Sequence, residues 1–180
     1  MTDSLFFDTD CLSAFLWVKN ENLLVKLYPG RVIIPKQVYD ELSCPSIPQL
    51  KARVDKLISD NQVTVVSIDI ETDIYALYHQ ITVLPAKGHV IIGKGEAASI
   101  ALAKANNGIV ASNNLKDINS YITEFNLKHI TTGEILNEAY DKGYITLEEA
   151  DSLWASMLAK HRKLGASSFS DFLKSKGKLS

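Results

Sequence analysis

Leu5-Phe6-Phe7-Asp8-Thr9-Asp10-Cys11-Leu12 is the stretch on which the fold turns. Leu5-Phe6-Phe7 reads as a short buried strand, and the polar Asp8-Thr9-Asp10 interrupts it. Behind them Leu12, Phe15, Leu16 and Val18 recur at helical spacing. A short apolar strand running into a helix is the unit of a parallel sheet covered on both faces. In such sheets chemistry collects beyond the C-terminal strand ends, and Asp8 sits at one. An Asp there can equally cap the next helix, and Asp10 is the better placed of the two for that.

The unit repeats outward. Val32-Ile33-Ile34, stopped by Pro35, is a second strand, and Lys36 to Leu42 looks helical. Pro45 and Pro48 break the chain before a periodic helix over Leu50 to Ile58. Val63 to Val66 is a third strand and Thr72 to Tyr78 a short helix. Val83 to Gly95 is ambiguous, with a strand-like His89 to Ile92 bracketed by glycines. Glu96 to Ala105 is the clearest helix, Gly108 to Ala111 a fourth strand, Leu115 to Phe125 a helix, and Lys128 to Thr131 a fifth strand. Thr131 and Glu134 have capping-box spacing, so another helix opens there. Leu147 to Lys160 and Ser168 to Leu173 add two helices without a strand, and Lys174, Lys176 and Lys178 read as a frayed terminus. The expectation is one α/β domain over the 180 residues, with a core of about 4–142 and a helical extension of about 143–175.

Bulk properties exclude several classes. Mean hydropathy is near zero and no apolar run is long enough for a membrane helix. The opening Met1-Thr2-Asp3-Ser4 lacks the pattern of a secretory signal, so the expected location is the cytoplasm. Cys11 and Cys44 share no metal or redox spacing and read as reduced structural thiols. A net charge of −2 rules out polyanion binding by bulk electrostatics. Nucleic acid would have to meet local cations.

Four acids stand out. Val38 and Leu42 mark the buried side of their helix, with Glu41 on its flank and Asp40 pointing away. Glu96 shares a face with Ile100, although a helix start favours an acid through the macrodipole anyway. Asp117 lies at the edge of the face formed by Leu115, Ile118, Ile122 and Phe125, and Asn114 ahead of it is either a helix N-cap or a site residue. Carboxylates drawn together repel unless a cation neutralises them. An all-oxygen set favours Mg²⁺ or Mn²⁺, which would activate water for attack on a phosphodiester.

At these residues the chain resembles a PIN domain, and the likeness runs from Phe6 to about Leu173. Phe6-Phe7-Asp8-Thr9-Asp10-Cys11-Leu12 is similar to the PIN opening. Ile34 to Leu42 resembles the second motif, in which the acid before leucine, here Glu41, is the site residue. Gly95-Glu96-Ala97-Ala98 looks like the Gly-Glu variant of the third motif. Ser112-Asn113-Asn114-Leu115-Lys116-Asp117-Ile118 resembles the fourth, aligned through Asp117. A sister subgroup carries acids at the positions of Asn113 and Asn114, and in that alignment the fourth acid is missing. Gly143 to Ala150, Leu164-Gly165 and Phe169 to Leu173 resemble the C-terminal helical extension of the Gly-Glu subgroup.

The resemblance implies a five-stranded parallel sheet in the order 3-2-1-4-5, flanked by helices, and metal-dependent cleavage of RNA. It also implies a VapC-like toxin, homodimeric and held inactive by a small antitoxin protein. Asp8, Glu41, Glu96 and Asp117 would hold Mg²⁺ or Mn²⁺, supported by Thr9, Asp10, Ser112 and Asn114, with Lys36, Lys94 and Lys116 near phosphates.

Two other readings differ in class. A PIN-like module that binds a protein partner or RNA without cutting follows if Asn113-Asn114 leaves the site weak. Asp8-Thr9-Asp10 also resembles the start of a haloacid dehalogenase-like phosphatase, but no acidic pair follows Lys128 to Thr131. A Ser-His-Asp hydrolase is set aside, because His79, His89, His129 and His161 have no nucleophile motif near them.

Overall fold

In the computed structural model the described residues are 3–179; Met1, Thr2 and Ser180, and with them the start of the signal reading, lie outside. Five parallel strands, β1 (Leu5–Phe7), β2 (Val32–Pro35), β3 (Thr64–Val66), β4 (Ile109–Ala111) and β5 (Lys128–Ile130), form one sheet in the order β3-β2-β1-β4-β5. Leu5 pairs in register with both Val32 and Ile109, so β1 is the central strand. That position explains its unbroken apolar run: Leu5 and Phe7 pack into one core, Phe6 into the other.

The helices cover both faces. The core holding Leu5 and Phe7 is closed by α1 (Thr9–Trp17), α2 (Asn22–Leu27), α3 (Lys36–Leu42) and α4 (Pro48–Ser59). It is also closed by α8 (Thr132–Asp141), α9 (Leu147–Ala159) and α10 (Phe169–Ser175). The core holding Phe6 is closed by α5 (Asp73–Val83), α6 (Lys94–Ala105) and α7 (Leu115–Glu124). Alanines at 97, 98, 101 and 103 let α6 lie close on the sheet, and buried Ser99 Oγ sits 2.9 Å from the Phe7 carbonyl at the end of β1.

Several local expectations change. Pro48 opens α4 at its first turn, where a missing N–H costs nothing, rather than breaking the chain. Residues 84–93 contain no strand; His89 is instead pinned to α7 by Ser120 Oγ at 2.8 Å, by Glu124, and by stacking on Tyr121. The lysine-rich end is not frayed: Phe169 and Leu173 of α10 are fully buried, Lys176 meets Glu134 at 3.2 Å and Lys178 meets Asp141 at 2.6 Å. Both cysteines are free, but only Cys11 is buried; Cys44 is exposed, so it is no core thiol.

Candidate active site

The chain crosses to one side after β1 and returns across it before β4, so the sheet's switch point lies between these two strands. The candidate residues converge there. Asp8 follows β1, Ser112 to Asp117 follow β4, Glu41 stands in the helix after β2, and Glu96 in the first turn of α6.

Asp8 is fully buried and is itself the N-cap of α1, its Oδ1 accepting from the Cys11 N–H at 2.7 Å. The expectation that Asp10 is the better cap is therefore wrong; the helix begins one residue earlier, at Thr9. Asp8 Oδ2 has no hydrogen-bond partner. Burial pushes the carboxyl up to about 7, and the neighbouring Asp10 and Glu96 charges add to the rise. The Cys11 N–H opposes it, as does the Ser112 hydroxyl, which lies near without reaching Oδ2 in hydrogen-bonding geometry. An orphaned buried carboxylate oxygen costs on the order of 1–3 kcal/mol or more unless something meets it.

Glu96 and Asp117 are joined by one side chain. The Asn114 amide donates to Glu96 Oε1 at 2.7 Å and to Asp117 Oδ2 at 2.8 Å. Asn114 occupies the N-cap position of α7 yet makes no side-chain cap. Glu96 Oε2 accepts from the Gly93 N–H at 3.2 Å, so it also caps its own helix. Asn113 turns away from the acids and clamps Thr132, accepting from its N–H at 2.9 Å and donating to its hydroxyl at 2.9 Å.

Glu41 is more exposed than a place beside the core suggests, because α3 ends at the rim. Both its oxygens are nevertheless held, Oε1 by the Gly95 N–H at 3.0 Å and Oε2 by the Thr9 hydroxyl. Asp40 is solvated as expected and pairs with Lys36, which takes that lysine away from the acids. Lys94 and Lys116 are exposed and line neither cavity at the site.

The cations that do face the acids come from the tail. A cleft of about 280 Å³ is lined by Asp10, Glu96, Asn113 and Asn114 on one side and His161, Arg162 and Lys163 on the other. They reach it because α9 ends in a left-handed residue, His161 at φ 58. The His161 N–H bonds the Leu158 carbonyl and the Arg162 N–H bonds the Met157 carbonyl, the pattern that reverses a helix end. Arg162 Nη1 then meets Asp10 Oδ1 at 3.1 Å and Ser13 Oγ at 3.1 Å. Sequence reasoning missed this trio. The signal was the unbroken basic run Lys160-His161-Arg162-Lys163 closing a periodic helix just before Gly165.

A family model for DUF3368, described as a PIN domain, matches residues 4–178. The chain belongs to the PIN-domain family. Membership in this PIN family carries a nuclease-type fold, and PIN nucleases typically use divalent metals, which brings a hydrolase reading and an RNA substrate into view. No curated protein matches this PIN domain. No helix among its described residues is long and apolar enough to cross a membrane.

The donor set fits a hard divalent cation: oxygen ligands only, and a buried Asp8 oxygen that lacks a partner. The set is loose, however. Among the described residues no three His, Cys, Asp or Glu side chains are gathered closely enough to hold a metal. The Asn114 amide stands between two of the acids, and Thr9 with Gly95 holds the fourth at the rim.

Proposed function

We propose that this PIN domain is a divalent-metal-dependent endoribonuclease, in which Asp8, Glu96 and Asp117, with Glu41 at the rim, hold Mg²⁺ or Mn²⁺. The observation that carries the reading is Asp8: fully buried, one oxygen orphaned, and raised to about 7 at the switch point of the sheet. A bound cation would activate water and offset charge on the phosphodiester. Asp8 is fixed by the Cys11 N–H, so its free oxygen needs no reorganisation to accept a positive charge. Asn114 sets the spacing of Glu96 and Asp117, and Thr9 with Gly95 orients Glu41. Arg162 and Lys163 offer phosphate contacts across the cleft.

We further read the chain as the toxin of a toxin–antitoxin pair, cytoplasmic and homodimeric. The four motifs and the helical extension support this, as do exposed Leu84, Val90 and Ile91, apolar side chains of the kind a partner covers.

The test is incubation of the purified full chain with a mixed pool of structured RNAs in Mn²⁺ and in EDTA, with Asp8→Asn alongside. Cleavage that needs metal and is lost in the variant supports the nuclease. Calorimetry showing no Mn²⁺ binding, together with intact RNA, favours the second reading, a module that binds without cutting. The absence of a gathered three-ligand cluster among the described residues is the observation on that side.

A further inference from the structure

The acidic cleft does not end at the tail. A second cavity of about 310 Å³ adjoins it, and Asn113 and Lys163 line both. Its wall changes character. Leu115, 43 % exposed, and the half-buried Phe172 present apolar surface, while Lys163 and Lys176 stand on its rim. His129, which burial holds below the usual imidazole range, lies against it with Nε2 donating to the Ser112 carbonyl at 2.8 Å.

We propose that this second cavity is a nucleotide subsite, binding the residue of single-stranded RNA next to the scissile phosphate. Its base rests against Leu115 and Phe172, and its phosphate meets Lys163. This inference rests on the ribonuclease reading. Single-strand sites combine a cationic track with side chains on which bases rest, and the two cavities supply both in sequence. Lys163 is the decisive cation. Arg162 is engaged by Asp10 and Lys176 by Glu134, whereas Lys163 has no ion-pair partner among the described residues. An acidic peptide would also meet Lys163, but nothing in a peptide requires the junction with the acidic cleft.

The test is fluorescence anisotropy of a labelled single-stranded oligoribonucleotide with the full chain in EDTA, where metal-dependent cleavage is silent, over a salt series. Lys163→Ala should bind about tenfold more weakly, with a log Kd against log salt slope shallower by about 0.7. Leu115→Ser should weaken binding several-fold and leave that slope unchanged. Lys56→Ala, an exposed lysine of α4 outside both cavities, should match the wild type. Equal affinity and slope for Lys163→Ala and the wild type overturn the subsite, as does tighter binding of an acidic peptide than of RNA. The two readings fail separately. Lys163-dependent binding without cleavage in Mn²⁺ leaves a single-strand-binding cavity and removes the nuclease, whereas cleavage with an unchanged KM in Lys163→Ala keeps the nuclease and removes the subsite.

Discussion

A carboxyl raised to about 7 inside the fold ties stability to pH in a direction opposite to most acids. Between its ordinary value of 3.8 and about 7, Asp8 holds its proton in the folded chain but not in the unfolded one. Folding is therefore favoured at low pH, and stability falls as pH rises through that window, by on the order of 4 kcal/mol for a shift of this size. Asp8→Asn keeps an oxygen for the Cys11 N–H and removes the buried charge. Its melting temperature in EDTA at pH 8 should exceed that of the wild type, and the difference should vanish near pH 4. A lower melting temperature at pH 8 would show that the charged form is already well compensated. Asn114 permits a second test. Asn114→Asp replaces the amide shared by Glu96 and Asp117 with a third carboxylate. Thermal unfolding in EDTA should show a loss of roughly 1–3 kcal/mol, and Mn²⁺ should restore more stability than in the wild type. Equal melting in EDTA would mean that these acids do not feel one another.

At the scale of elements, the site depends on how closely α6 approaches α1 and α3. A Cβ on Gly95 would stand 2.7 Å from Thr9 Oγ1, 2.9 Å from Glu41 Oε2 and 3.2 Å from Val38 Cγ2. The crowded atoms are largely the site's own polar ends. Ala also favours a helix over Gly by about 1 kcal/mol, so stability should change little in Gly95→Ala. Cleavage activity should fall instead, because Glu41 loses the Gly95 N–H and Thr9 that orient it. A large drop in melting temperature with unchanged activity would refute this division. α6 needs its small residue for the site, while its alanines serve the sheet.

For the whole molecule, the tail is part of the main core rather than an appendage. Trp154, Met157, Phe169 and Leu173 are fully buried in the same cluster as Leu5, Phe7 and Phe15. Each large side chain removed from such a core costs about 3–5 kcal/mol. A chain ending at Lys142 should give no cooperative unfolding transition and should aggregate; a sharp transition near that of the full chain would show the extension to be dispensable. Gly133 reports the same docking more gently, since a Cβ there would lie 2.7 Å from the Phe172 ring and push α10 off α8. The tail also carries His161, Arg162 and Lys163 to the cleft, so core packing and substrate contact share one segment.

The amino-acid order alone determined the strands and most of the helices, and singled out the four candidate acids, because periodicity, caps and local motifs act within a few residues. Leu5-Phe6-Phe7 announced a buried strand through its unbroken apolarity, and Ser112 to Ile118 placed Asp117 at the edge of a helix. What only the tertiary structure decided depends on residues far apart in the chain. That Asn114 bridges two acids instead of capping its helix needed α6 beside α7. That Asp8 is both cap and buried acid needed the layers that exclude water from it. That the tail's cations, and not Lys36, line the cleft needed α9 to end in a left-handed turn that brings Arg162 to Asp10, 152 residues earlier in the chain. Local propensity reads the next turn of chain; burial and cross-chain partners set the charge and role of a side chain.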